Sequence, residues 1–526
     1  MPRAAGCRAT KAPVNNRDLD AAWKYHDGTK HSYLSIRTSP HILDWGNRPL
    51  LFKIYPTLEV MRLPRDVRQT GVAALSAVAA TAVPPSHSAV PDLEALTQVL
   101  YLSAGVIKSR KYPGGEIFFR AAACTGALYE IELYVVCGDL PGLSAGVYHF
   151  GVAEFGLRQL RAGDYRQTVV EATAADPAVA NAPAVLICTG TYWRNAWKYR
   201  SRTYRHFGWD NGTILANLLA VSAALGLPAK IICGFHDLRM NALLDLDTRR
   251  EVAFSIVPLG VTFEQPPSLS TDIAPLNLPV VPYSASEADY PAMRQMHEAS
   301  SLGSAEEIDS WRGHAPTASV VAAPSDATLL APLEDAQIPR DPIEQVIQRR
   351  GSSRRFAREP IALAQLSTIL DRSTRGIPAD YLDPVGSQMN DLYLIVNSVD
   401  GLAPGAYFYD RERRSLDCLK QGDFRSQAAY LGLEQELPGD ASVDIFFLAD
   451  LKQVLARFGN RGYRAVQLEA GILGGKVYLS AYAQRLGATG LTFYDDDVIR
   501  FFSPHSRGKS AIFLVAIGVS ARNPSA

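Results

Sequence analysis

The sequence predicts an α+β fold built twice in tandem, the two copies pairing as an intrachain pseudo-dimer. Three observations carry that prediction. Short apolar strand-type runs are interspersed with helical segments in both halves. The run Ile214–Leu227 is apolar nearly all round, as a helix buried in a core is. The second half also repeats the first at one spacing. Leu133 and Leu392, Gly146 and Gly405, Lys198 and Arg457, and Gly212 and Gly471 are each 259 positions apart. One offset held from Leu133 to Gly212 marks duplicated units, not shared composition. Two such copies in one chain can form an internal dimer whose two interface sites are free to diverge.

Taken in order, residues 1–20 form a flexible N-terminus. The first domain spans 21–263. Its opening stretch to residue 70 is polar, aromatic and broken by Pro, which suits a wrapping loop, and a Pro/Ser linker follows at 83–91. Leu93–Ala104 has helical spacing. ELYVVCGD (132–139), AVLICTG (184–190) and VAFSIVPLG (252–260) read as strands. Residues 264–341 are rich in Pro, Ser and Ala and form a linker partly ordered on a domain surface. The second domain spans 342–526, with helices over 342–350 and 362–372. Its strands are DLYLIVNS (391–398), VDIFFLAD (443–450) and SAIFLVAIG (510–518).

The 526 residues suffice for two or three domains. With 53 Lys+Arg against 53 Asp+Glu there is no long-range pull toward nucleic acid or an anionic membrane. No apolar run reaches the length of a membrane span, and the N-terminus has no signal-peptide core. The six cysteines lack metal-site spacing, so they read as reduced thiols of a cytoplasmic protein, with no metal.

The chemistry gathers at the entrance to the buried helix. Arg202, Tyr204 and Arg205 recur as Arg461, Tyr463 and Arg464, and so read as framework. Lys198–Tyr199 does not recur; the second copy has Arg457–Phe458. Phe transfers no proton and Arg does not give one up. The asymmetric pair is therefore the catalytic candidate, a lysine and tyrosine able to act as general base and acid. The bland alternative is a lysine reaching solvent beside a packed tyrosine. RRGSSRRF (349–356) interleaves guanidiniums with hydroxyls, either a phosphate site or a solvated basic face. ACTGALY (123–129) allows close backbone approach to a flat ligand, or is only a turn. LGATGL (486–491) offers backbone N–H groups, although a helix C-cap also explains Gly487.

Together these stretches, with YHDGTKHSY and KYRSRTYRHFGWDNGTILANLLAVSAALGL, resemble the SagB-type dehydrogenases of the nitroreductase superfamily, FMN-dependent enzymes that include azoline oxidases. The resemblance implies a nitroreductase-like fold and an FMN cofactor. It implies that Arg350, Ser352 and Arg354 hold the FMN phosphate. Cys124, Thr125, Gly126, Ala127 and Leu128, with Arg120 ahead of them, would approach the flavin from the other copy. Gly487, Ala488, Thr489 and Gly490 would lie beside it. Lys198 and Tyr199 would be catalytic. Glu130 departs from the family, which usually has Pro there. The reciprocal elements are eroded, GSQMNDLYLIV standing for the loop and LGLPAKIICG for GATG, with Lys30–Ser32 as a remnant phosphate element. One composite FMN site per chain follows. The implied reaction is dehydrogenation of an azoline or peptide-like C–N unit in natural-product biosynthesis, on a small-molecule or peptide substrate, with biosynthetic partner proteins. The alternatives are an NAD(P)H-dependent nitro or quinone reductase, and a degenerate flavin-fold scaffold.

Overall fold

The computed structural model describes residues 15–81, 87–112, 115–268, 273–314 and 327–521. It has an α+β fold in two copies, each an antiparallel sheet against a long buried helix. The first sheet contains β1 (Met61–Arg62), β2 (Ile131–Cys137), β3 (Gly146–Gly151), β4 (Gly156–Ala162), β5 (Ala184–Thr191) and β6 (Glu251–Leu259), in the order β1-β4-β3-β2-β5-β6. The second contains β7 (Thr328–Leu329), β8 (Asn390–Val396), β9 (Gly405–Asp410), β10 (Ser415–Gln421), β11 (Val443–Ala449), β12 (Gly487–Leu491) and β13 (Ser510–Gly518). Its order, β7-β10-β9-β8-β11-β13-β12, repeats the first and adds one edge strand. The central strands are buried at every position because helices cover both faces, so they read as continuous apolar runs.

The helices that matter are α1 (Tyr192–Tyr199), α2 (Thr203–Ala224), α3 (Ala305–Trp311), α4 (Leu451–Phe458), α5 (Arg461–Ala483) and α6 (Asp495–Phe502). α2 and α5 are the long central helices of the two copies and pack on each other. They cross at Gly212 and Gly471, where a Cβ on Gly212 would lie 2.5 Å from the Gly471 Cα. Trp209 stacks on Phe513 of the other copy at 5.0 Å, and its indole N–H donates to Gln467 at 2.7 Å. The two copies thus share one core. Replacing Gly212 with Val should force the helices apart at a cost of about 1–3 kcal/mol, read as a lower urea midpoint with an unchanged slope.

Three segments differ from the sequence expectation. The central helix begins at Thr203, not Ile214, because its polar first turns are paired across the interface instead of solvated. The Pro/Ser/Ala-rich connection contains helix Pro291–Ala299 and α3, which bury Met293, Met296, Ile308 and Trp311. Residues 15–20 dock as well: Asn16 donates to the Phe458 carbonyl at 3.1 Å and accepts from Arg461 N at 2.7 Å. Residues 1–14 of the expected flexible terminus, 82–86 around the Pro/Ser linker and 315–326 of the long connection lie outside the described residues. No described helix is long and apolar enough to cross a membrane.

Candidate active site

The site is assembled from both copies, and the frame comes first. Arg202 and Arg205 reach across to Asp495 at the start of α6, at 3.0 and 2.7 Å. Arg461 and Arg464 make the mirror pair with Asp237, at 2.6 and 3.1 Å. All six groups are buried. Each aspartate's neighbouring guanidiniums hold its carboxyl below the usual range against the opposing effect of burial. The arginines shared by the two copies are therefore interface ties. Lys30–Ser32 belongs to this frame too: Lys30 pairs with Asp496 at 3.0 Å and His31 N–H donates to Asp495. Its lysine is committed to carboxylates here, which does not match the remnant phosphate role expected of it.

On this frame α1 delivers Lys198 and Tyr199 at its last turn. The Lys198 ammonium lies 5.1 Å from the Tyr199 ring centroid. Tyr199 is edge-on to His206 at 4.7 Å and rests on the turn Thr125–Ala127. Gly126 and Ala127 both have positive φ there, 66° and 53°. A Cβ on Gly126 would come 2.7 Å from the Tyr199 hydroxyl, so only glycine fits. Asp210 of α2 ties down this turn, accepting from Thr125 N–H at 2.9 Å, Thr125 Oγ1 at 2.8 Å and Cys124 Sγ at 3.2 Å. Leu128 points away, into an apolar cluster with Trp193, Trp197 and Tyr283. Arg120 also faces inward. It donates to the carbonyls of Leu51 and Ile131 and lies 4.7 Å over the Tyr129 ring, so it braces the base of the turn.

The second copy brings its own elements to the same place. Arg350 donates to the carbonyls of Arg120 and Ala121 at 2.9 and 3.0 Å, which docks the 350–354 loop on the first copy. Ser352 contacts the Tyr478 hydroxyl at 3.3 Å. Ser353 N–H donates to the Ala488 carbonyl, and Gly490 N–H donates to Tyr478. Gly487 is strand, not helix cap; a Cβ there would strike Ser353 and Ser520. Thr489 is buried beside Tyr478. Arg354 is exposed, has no ion pair among the described residues, and acts electrostatically on both Lys198 and Tyr199. Partial desolvation, then Arg354 and Arg48, draw the Lys198 amine down. Burial, then Asp210, Cys124 and Glu130, push the Tyr199 phenol up.

At the equivalent place in the second copy, Arg457 is spent on the carbonyls of Ser310 and Arg312. Phe458 packs against Trp311 at 5.3 Å, and its carbonyl accepts from the Trp311 indole N–H and from Asn16. The connecting segment and the N-terminal residues thus plug that position.

Asp210 and Tyr478 stand at this candidate site without having been singled out in the sequence, where Glu130 was noted only as a departure from the family. For Asp210 a signal existed. Glu469, 259 positions on, is also acidic and also takes the N–H of its own turn, at Met389.

Residues 347–518 match the profile of the nitroreductase family. A Methanocaldococcus jannaschii protein, MJ1384, whose name assigns it provisionally to the nitroreductases, is 28% identical over 166 residues, 30% of this chain and 81% of that one. The trifolitoxin-processing protein TfxB of Rhizobium leguminosarum bv. trifolii is 31% identical over 170 residues, 31% of this chain and 46% of its own length. Among solved structures, an Anabaena variabilis protein, also provisionally named a nitroreductase, superposes with a TM-score of 0.75 at 25% identity, over 95% of this chain and 99% of that one. Both halves of the present chain thus have a counterpart in a single other chain.

Proposed function

We propose that this chain, whose second half carries a nitroreductase-family domain, is an FMN-dependent oxidoreductase with one composite site between domains 21–263 and 342–526. The observation that carries this reading is that Arg354 of one copy is near enough to Lys198 and Tyr199 of the other to act electrostatically on both. Both cations are exposed and lack ion-pair partners among the described residues, and two such cations acting on each other suit an anionic ligand such as a phosphate. The glycine at 126 lets the backbone turn lie directly against Tyr199, and Gly487 lets the second copy's strand lie directly against Ser353 of the 350–354 loop. The residues therefore fit FMN. Ser352 and Arg354 would hold the phosphate, with Arg350 fixing their loop to the first copy.

Bound FMN supplies a two-electron acceptor. Lys198, its amine drawn down, would take the proton from a substrate C–H. Tyr199, kept protonated, would donate a hydrogen bond to the reacting unit. Dehydrogenation of an azoline or peptide-like C–N unit is the favoured reaction, in a cytoplasmic biosynthetic setting with partner proteins. The relative named for trifolitoxin processing supports that setting. An NAD(P)H-dependent reductase of nitro or quinone compounds is the second reading, favoured by the family to which residues 347–518 match.

Purified chain saturated with FMN should hold one flavin per chain and should not be bleached rapidly by NADPH. Two tightly bound flavins would overturn the single-site reading. Rapid bleaching would favour the reductase, and a chain that takes up no FMN would leave a scaffold.

A further inference from the structure

Behind the turn that seats Tyr199 lie two carboxyl groups and a thiol with no cation paired to them. Glu130 is 0% exposed and Asp210 is 5% exposed. One ligand atom from each of Cys124, Glu130 and Asp210 falls within 4.8 Å of the others. Neither acid makes an ion pair among the described residues. Two adjacent buried carboxylates cannot both keep their charge at neutral pH, so one must hold a proton.

The hydrogen bonds say which one. Asp210 accepts from Thr125 N–H, Thr125 Oγ1 and Cys124 Sγ, so it is the ionised partner. Glu130 Oε2 lies 3.5 Å from Cys124 Sγ, whose one proton goes to the nearer Asp210, and its buried Oε1 has no donor at all. A hydroxyl at that carboxyl, donating to Asp210, accounts for the orphan. Burial and the Asp210 charge both act in the same direction, raising Glu130 well above the carboxylate range. We propose that Glu130 and Asp210 share a single proton and that this acid pair positions the Cys124–Ala127 turn against Tyr199, making both of them positioning residues of the site.

The chain's own repeat isolates the device. In the second copy Glu469 takes Asp210's place and accepts from Met389 N–H and Asn390 Nδ2. The place of Glu130 is taken by Met389. One carboxylate is thus framework in both copies. The second carboxyl occurs only in the copy that carries Lys198–Tyr199.

The other titratable and charged groups around the pair are Cys124 and Tyr199, with Arg120, Arg350 and Arg354 at longer range. Three N–H, O–H and S–H donors already point at Asp210, and burial pushes the Cys124 thiol up, away from the thiolate a metal would need. A cavity of about 10 Å³ beside Cys124 and Asp210 is lined by Arg120 as well. These features favour a proton over a cation.

The test is an infrared difference spectrum of wild type against Glu130→Gln at pH 7, both as full chains. The expected result is a neutral carboxylic C=O band present in wild type and lost in the variant. Other buried acids such as Asp444 cancel in the difference. Glu130→Met, the residue the second copy itself uses, is the companion and should show the same loss, with near-UV circular dichroism verifying its fold. The proposal builds on the FMN reading only where turnover is measured. There Glu130→Gln, whose amide can still donate to Asp210, should exceed Glu130→Met by about tenfold. A difference spectrum that loses only ionised carboxylate would overturn the shared proton, whatever becomes of the flavin. So would one equivalent of divalent metal per chain that Glu130→Gln removes.

Discussion

Asp495→Asn should destabilise the folded chain by about 3–5 kcal/mol, because it strands two buried guanidiniums. Arg202 and Arg205 are both almost fully buried and both face Asp495. Burial already draws Arg202 down to about 10, and two of its nitrogens, Nε and Nη2, have no partner. Asparagine keeps the shape and the bond to His31 N–H but removes the charge that makes those cations tolerable. The same argument applies to Asp237 with Arg461 and Arg464. Because these pairs join the copies, the loss should appear as a lower urea midpoint for the whole transition. The pH dependence has a definite sign. The Asp495 carboxyl sits below its ordinary value when folded, so its contribution is fully present above about pH 4, the unfolded value. It is lost as pH falls from there toward the folded value. Asp495→Asn should therefore flatten the acid limb of stability against pH. A variant as stable as wild type at pH 7 would show that the tie is dispensable.

That frame was half legible in the sequence. The 259-residue offset singled out Arg202, Arg205 and their counterparts as shared structure. What they bind lies about 290 positions away, at Asp495, and no local pattern links the two. The helix Leu93–Ala104 was legible at both ends, since Asp92 caps its first turn and Gly105 follows its last residue. The start of α2 was not, because Arg205, His206, Asp210 and Asn211 look solvated until their partners are known. The linker's partial order was legible but its helices were not. Its Pro and Ser content is real, but Met293, Met296, Ile308 and Trp311 bury against the rest of the chain. At the site, residue type was readable and direction was not. Arg120 and Arg350 announce charge, yet both are spent on main-chain carbonyls. Glu130 stood out as a departure from a family pattern, but its partner Asp210 comes from another element altogether.

The asymmetry between Lys198–Tyr199 and Arg457–Phe458 yields the largest expected functional effect. Lys198→Ala should lower turnover about 10²–10⁴-fold, the usual contribution of a positioned proton-transfer group, while the protein keeps its flavin colour. Lys198 is exposed and makes no ion pair among the described residues, so its removal should leave stability within about 0.5 kcal/mol. A base must be neutral to accept a proton, so turnover should rise with pH through the Lys198 titration. Arg48 is one of the charges drawing that amine down. Arg48→Gln should raise it and move the acid limb of the kcat profile to higher pH. Tyr199→Phe should lower turnover without moving that limb, because Tyr199 titrates well above it. The combination separates base from packing residue: a lysine that only covers the tyrosine would give no shift with Arg48→Gln. Normal turnover in Lys198→Ala would remove the assigned role and leave the asymmetry between the two copies as simple drift at a position that chemistry does not use.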